Sequence, residues 1–451
     1  MLLMLIMPKL YFYVLGALAL IAATIALAAP SLSKGSQWVE QAKWVSDNSA
    51  GEYEFAQAVA IDGDTAVVGL PYYGTPTDLN NAGRISAEVS RSGATGKVMG
   101  WTNEGAAYVY RCSGSRCSLS AKLLMPKNQA DGYHEFGSEV AIDGDTILVA
   151  ADAFRGEALN EVLQYLPLYI FTRSRDSWSL QQSHLALPYS LKATYSIKSV
   201  ALSGDTAVVG IGGRTHVFHR HPSTGSWSYE AELTPDTPTY GFGEAVAIDG
   251  DTIIVSGGTP SKTITSNSTV AAFVFVRNST TGSWSLQAQL VPFKNENTST
   301  RRTVALSSNT AVVGLPGESS DRGAAFVYER NPATGKWSKQ ARLVPNDVLP
   351  FHQYGFGGSV GIDGNSIVVG VSLEHKASPN WFQPHRVEKA VYVFERNSRI
   401  GWWSQPVKLL PQDYKEVART YGKRVDISGE RVILSAGSIG TDSAYIFRRV
   451  N

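Results

Sequence analysis

The chain has 451 residues, of which 43% are hydrophobic and 18% charged, a balance that supplies a large buried core and excludes a disordered chain. Forty Lys and Arg against thirty-nine Asp and Glu leave a net charge of +1, too weak a field to hold a polyanion by counterion release, so nucleic acid is not an expected partner. Forty-two Gly and twenty Tyr, among frequent Val and Thr, point to many short strands joined by tight turns.

At the N-terminus, Lys9 is followed by LYFYVLGALALIAATIALAAP, about twenty residues without charge, enough to span roughly 30 Å of hydrocarbon as a helix. Ala26-Leu27-Ala28 has the small-x-small pattern of a signal-peptidase site, which would leave Ala29 at the new terminus. The apolar stretch is also longer than that of a usual cleaved signal, which favours an uncut anchor with the domain on the far side. Residues 1–33 are therefore read as a signal peptide or a membrane anchor, and 34–451 as a domain in the secretory pathway, outside the cell or tethered to a membrane. Two features agree with that compartment. Cys112 and Cys117, in RCSGSRCSL, are placed to form a disulfide across a hairpin end. Asn267, Asn278 and Asn297 head Asn-x-Ser/Thr sequons and are candidate glycosylation sites.

Further along, the chain repeats itself. FAQAVAIDGDTAVVGLP from Phe55 returns as FGSEVAIDGDTILVAAD from Phe136, FGEAVAIDGDTIIVSGG from Phe242 and FGGSVGIDGNSIVVGVS from Phe356. Looser copies start at Ile197, Arg301 and Gly422, making seven. Each copy continues into a second half, such as GAAFVYERNPATGKWSKQARLVP from Gly323. One unit then holds four extended runs, which is one blade of a propeller. The seventh copy stops after its third run, and SQWVEQAKWV at 36–45 supplies a fourth-run pattern ahead of the first copy. The fold expected is all-β: a seven-bladed β-propeller of four-stranded antiparallel blades, its ring closed by the N-terminal strand and so left without an open sheet edge.

Blade topology places the connections between strands 2 and 3 on one face with those between strands 4 and 1. The long insertions, Tyr72 to Asn103, Gly258 to Thr269 and Leu373 to Glu388, all fall on that face beside aromatic connectors such as DGYHEFG and PFHQYGFG. Variable loops on a rigid scaffold are where binding concentrates. Tyr72, Tyr73 and Trp101 in the first insertion, with His375, Trp381, Phe382 and His385 in the last, are the ligand-binding candidates, packing of the loops on one another being the alternative.

The pattern FGxxVAIDGDTxxVG followed by GAAFVYER resembles the FG-GAP repeat, the unit of the integrin α-subunit propeller and of many secreted proteins, over nearly all of residues 36–451. The resemblance implies a propeller that binds proteins or surface ligands with its loop face. Integrin-type repeats often carry an Asp-x-Asp-x-Asp-Gly-x-x-Asp loop between strands 1 and 2 that holds Ca²⁺ through carboxylate and carbonyl oxygens. Here only Asp62 and Asp64, Asp143 and Asp145, and Asp249 and Asp251 remain as pairs, with Ser203, Ser307 and Ser428 replacing the first Asp in other copies. Two carboxylates cannot fill six to eight oxygen positions, so an Asp-Gly hairpin turn is the preferred reading and no cofactor is expected.

Trp38, Trp178, Trp227, Trp284, Trp337 and Trp403 open the fourth run of successive copies, a regularity that points to packing between blades rather than to sugar platforms. In the first copy Cys117 takes the place of that Trp. His219 and His221 in HVFHRH lack a visible third metal ligand, and no signature of a nucleophile, P-loop or dinucleotide site occurs. The function expected is therefore binding of a protein or glycan at the loop face, in adhesion or recognition, without catalysis. The alternatives are a secreted propeller hydrolase, such as a glycosidase, whose carboxylates converge from different blades, and a structural wall or matrix component.

Overall fold

A computed structural model describes residues 37–45, 55–71, 76–78, 99–101, 105–126, 135–151, 162–192, 196–236, 239, 241–259, 269–292, 303–318, 322–347, 355–371, 390–414, 421–438 and 441–450. Trp38–Arg448 forms one compact unit; Met1–Gln37 and Arg449–Asn451 group apart from it, and of these only Gln37, Arg449 and Val450 are described, as ends of strands. The proposed leader at 1–33 lies outside the described residues, as do Asn267 and Asn297.

The repeat folds as expected, into seven four-stranded antiparallel sheets. Blade 1 is Val59–Asp62, Thr65–Leu70, Ala106–Ser113 and Arg116–Leu123; blade 2 is Phe136–Asp143, Thr146–Ala151, Val162–Ser174 and Ser177–Lys192. Blade 3 is Ile197–Ser203, Thr206–Ile211, Arg214–Arg220 and Trp227–Leu233; blade 4 is Val246–Asp249, Thr252–Thr259, Thr269–Arg277 and Trp284–Leu290. Blade 5 is Thr303–Ser307, Thr310–Leu315, Ala324–Arg330 and Trp337–Leu343; blade 6 is Phe356–Asp363, Ser366–Val371, Val391–Glu395 and Val407–Leu409. Blade 7 takes Val425–Ser428, Arg431–Ser438 and Thr441–Val450 from the C-terminal end and Gln37–Val45 from the N-terminal end, so the ring closes where the sequence places the seam. One departure is the length of blade 2, whose third and fourth strands run 13 and 16 residues and stay paired through three register shifts. Pro167 and Pro188 hide this hairpin in the sequence, because Pro normally argues against strand interior and here is absorbed by bulges.

The apolar residues form seven clusters, one at each seam between neighbouring blades. The Phe that heads each of the four close copies enters its seam and meets an aromatic ring of its own third strand edge-on: Phe55 on Tyr108 at 5.8 Å, Phe136 on Tyr169 at 5.1 Å, Phe242 on Phe273 at 5.6 Å and Phe356 on Tyr392 at 5.7 Å. Tyr421 repeats this in blade 7 against Tyr445 at 6.3 Å. Trp178, Trp227, Trp284, Trp337, Trp403 and Trp38 each join a different cluster, which accounts for their regular spacing as packing. The seventh cluster, between blades 7 and 1, holds Cys117 instead, and Cys112 and Cys117 are joined in a disulfide there.

The Gly of the FG pair explains the second half of the motif. Gly69, Gly210, Gly314 and Gly370 end second strands, and a Cβ on any of them would lie 1.9–2.2 Å from the carbonyl oxygen of Gly137, Gly243, Gly357 or Gly422 in the next blade. The Gly that opens the third strand is equally committed, for Gly105 and Gly323 form parallel bridges with Phe136 and Phe356 of the following blade. The aromatic-Gly pair of blades 2, 4, 6 and 7 is thus clasped by glycines of the blade before it.

A second clasp runs around the opposite face. The residue ending each first strand accepts a hydrogen bond from a backbone N–H at the turn of the next blade: Asp62 from Gly144, Asp143 from Gly204, Ser203 from Gly250, Asp249 from Ser308, Ser307 from Gly364, Asp363 from Gly429, and Ser428 from Gly63, at 2.5–3.1 Å. The seven bonds close a circle. Asp and Ser alternate at this position because either supplies an acceptor oxygen at the end of a short side chain.

Candidate functional site at the channel and loop face

The first strands of all seven blades surround a central cavity of about 290 Å³. The residue before the central Val of each first strand lines the cavity at its loop-face end: Ala58, Glu139, Ser199, Ala245, Thr303, Ser359 and Arg424. Three of these tie one blade to the next, since the hydroxyls of Ser199, Thr303 and Ser359 donate to the carbonyls of Gly243, Gly357 and Gly422 at 3.2, 2.8 and 2.8 Å. Arg424 spans two seams, its Nε donating to the Gln57 carbonyl at 3.0 Å and its Nη2 to Glu139 Oε1 at 2.7 Å. Lys198 and Glu244 add one charge of each sign to the lining.

Two residues further along the strands, six blades carry Ala60, Ala141, Ala201, Ala247, Ala305 or Gly361, and the seventh carries Asp426. Its Oδ2 accepts from the Ile61 N–H of blade 1 at 2.9 Å and its Oδ1 from the Ile427 N–H at 2.8 Å. Burial pushes this carboxyl up to about 7; the two N–H bonds pull the other way, and the charges of Asp363 and Asp62 add to the rise. Asp426 escapes a motif search. Its signal is a mismatch between copies, VDIS in blade 7 against VAID, VALS or VGID elsewhere.

Two further carboxylates near the loop face are already engaged. Glu318, 1% exposed, receives Arg342 Nη2 at 2.6 Å. Glu232 accepts from Tyr189 Oη and from Arg214 Nη1 at 2.8 Å. Beside them His216 is fully buried, and burial holds its pKa down to about 4, so the ring is neutral at physiological pH.

Of the ligand-binding candidates, Tyr72, Tyr73, His375, Trp381, Phe382 and His385 lie outside the described residues. The strands flanking their connections, Thr65–Leu70 with Ala106–Ser113 and Ser366–Val371 with Val391–Glu395, place both insertions on the loop face. Trp101 belongs to a small hairpin within the first insertion, its backbone opposite Pro76 in the pairing of Pro76–Asp78 with Met99–Trp101. Asn278 lies on the opposite face, exposed at the tip of blade 4, with its Oδ1 accepting from the N–H groups of Thr280 and Thr281.

The Asp pairs sit on successive turns rather than around one point. Asp62, Asp143 and Asp249 face the next blade in the circle of hydrogen bonds, while Asp64 and Asp145 meet Arg111 and Arg173 at 3.1 and 2.6 Å, and the Asp251 carbonyl receives the Arg277 N–H. Partial burial raises Asp64, but hydrogen bonds from Thr65 and Arg111 outweigh it and leave that carboxyl below its ordinary value. Among the described residues no group of three or more His, Cys, Asp or Glu is arranged to hold a metal ion; His221 Nδ1 meets Ser223 Oγ at 3.1 Å, and His219 pairs across the sheet with Thr206.

Seven four-stranded blades around a channel define a β-propeller. The FG-GAP repeat family matches residues 38–85, from the ring-closing strand into the insertion of blade 1. The chain is a seven-bladed β-propeller that is similar to the FG-GAP repeat over those residues. No curated protein matches it. Among solved structures it is similar to a protein from Bacteroides uniformis described as a candidate 6-phosphogluconolactonase, with 12% identity over 78% of this chain and 85% of that one and a TM-score of 0.42, too slight a likeness to carry function across.

Proposed function

We propose that the protein is a secreted or membrane-tethered binding module that recognises a protein or glycan ligand with its loop face. The observation that supports this most is the division of labour between faces. The tip face is occupied by a continuous circle of hydrogen bonds between blades, whereas the opposite face carries the insertions and a charged channel mouth with Glu139, Arg424, Lys198 and Glu244. A rigid ring that presents variable loops around a polar depression suits recognition. The apolar N-terminal segment and the Cys112–Cys117 disulfide favour an oxidising compartment. The test is ligand capture by the full chain, made through a secretory route and screened on a glycan array and by proximity labelling. Trp381→Ala and Tyr73→Ala are expected to lose capture about tenfold or more; capture unchanged in both sinks the loop-face assignment.

One observation favours a second reading, hydrolysis in the channel. Glu139, Glu244 and Asp426 line the same cavity, and a carboxyl raised to about 7 keeps the proton that a general acid delivers. It ranks second because Asp426 already accepts two backbone N–H groups and Glu139 is held by Arg424. Turnover of a chromogenic glycoside panel that disappears in Asp426→Asn would reverse the order.

A further inference from the structure

The hairpins that join strands 3 and 4 are built alike in four blades. In each, the first residue takes an N–H from the Gly four positions on and gives its own N–H to the carbonyl that follows that Gly: His221 with Gly225 and Ser226, Asn278 with Gly282 and Ser283, Asn331 with Gly335 and Lys336, Asn397 with Gly401 and Trp402. With the backbone held constant, the two residues flanking the Gly can be compared directly. Blades 3 and 4 carry Thr224 with Ser226 and Thr281 with Ser283, hydroxyls bonded to each other at 2.7 Å. Blade 5 carries Thr334 and Lys336. Blade 6 replaces the polar pair with Ile400 and Trp402, which are 64% and 77% exposed, and Arg399 stands exposed beside them. Nothing in the hairpin needs this exchange, because the same turn forms around Thr and Ser in the neighbouring blades. Leaving an Ile and a Trp in water at a projecting tip marks a contact made outside the fold.

The position of the knob selects its occupant. Trp38 packs at the seam of blades 6 and 7 and opens the fourth strand of blade 7, as Trp403 opens that of blade 6, so the chain enters the propeller on the tip face, one blade from Ile400 and Trp402. Eight residues, 30–37, separate Trp38 from the apolar segment that ends at Ala29. At no more than about 3.5 Å each they reach roughly 28 Å, so a membrane held by that segment stays close to this edge of the tip face. Trp with an aliphatic partner and a flanking Arg is the composition that settles at the boundary of headgroups and acyl chains.

We propose that the tip of blade 6 is a lipid-interface contact: Ile400 and Trp402 dip into the bilayer that holds the N-terminal segment, Arg399 meets the headgroups, and the loop face is turned away from the membrane. The propeller leans on its edge at blades 6 and 7 and does not lie flat, which keeps Asn278, two blades away, in water. This inference rests on the tethered form of the proposed function and adds its orientation.

The experiment uses the full chain in phosphatidylcholine vesicles floated on a density gradient. The native cysteines are paired, so Ser398→Cys introduces a unique thiol for an environment-sensitive fluorophore. Lys336→Cys on the tip of blade 5 is the control. The label at 398 is expected in lipid and quenched by spin-labelled acyl chains, and the label at 336 in water. Combining Ile400→Thr with Trp402→Ser, the pair that blade 4 already tolerates, should reduce lipid contact at 398 about tenfold. A label at 398 that stays wet while the chain floats, or that is quenched equally in both backgrounds, overturns the contact and leaves loop-face binding intact. Shielding seen only in cells and not in pure lipid assigns the tip to a protein partner and also overturns it. A full chain that fails to float overturns the tether together with the contact, without touching ligand capture.

Discussion

At the scale of single residues, the circle of hydrogen bonds on the tip face turns a familiar hairpin signature into a structural device. The Asp or Ser before the turn Gly does not stabilise its own hairpin; it accepts from the next one. Ser203→Ala should cost about 1 kcal/mol, and Asp143→Ala, which removes a charged acceptor, about 2 kcal/mol, read as changes in thermal midpoint. In blade 5 Ser308 stands where six other copies have Gly, yet adopts φ 50°. Ser308→Gly is expected to raise stability by about 1 kcal/mol, because only the backbone N–H there is used. Asp426 gives stability a pH dependence. Its folded pKa, about 7, lies above the unfolded carboxyl value, so the stability it confers is complete in acid and is lost as pH rises toward and through 7. The thermal midpoint of the wild type should fall between pH 5 and pH 8, and Asp426→Asn should flatten that slope while retaining the bond from Ile61.

Elements of this propeller are unremarkable alone and become specific at the seams. The second strands TAVVGL, TAVVGI and SIVVGV are buried along their whole length, as expected of central strands covered on both faces. What distinguishes them is the Gly near the end of each. Gly210→Ala would push a methyl to within 1.9 Å of the Gly243 carbonyl oxygen, and the affected atoms are backbone on both sides. That substitution should prevent accumulation of folded protein or cost more than about 3 kcal/mol. The hairpin Gly204, at φ 55° with nothing within 4 Å of its missing Cβ, should cost only about 1 kcal/mol when changed to Ala. Folded yield and melting of the two variants side by side separate a glycine needed for approach from one needed for conformation.

For the whole molecule, closure matters most. Blade 7 joins strands from both ends of the chain, and Gln41 Nε2 and Arg448 Nη1 both donate to the Gly114 carbonyl at the hairpin tip of blade 1. Deleting residues 1–45 removes the fourth strand of blade 7 and exposes the edge of Thr441–Val450; the truncated chain should aggregate on size-exclusion chromatography. A chain cut only at residue 33 should remain monomeric.

Blade number and the Trp plugs were legible in the sequence because they depend on contacts that recur once per repeat and so leave a periodic trace, and the seam and the Cys pair were legible as single departures from that period. That the connections between strands 2 and 3 share one face was legible as well, as it follows from strand order. Asp426 and the Arg424–Glu139 bridge left no such trace, because each brings together residues from different copies that are far apart in the chain, and only the closed ring makes them neighbours. The long hairpin of blade 2 was hidden by its prolines, whose usual meaning is reversed by bulges that only the sheet reveals. Ile400 and Trp402 were visible as letters, but their exposure was decided by the fold, which packs a half-buried Trp403 against a seam and leaves Trp402, the adjacent residue, in solvent.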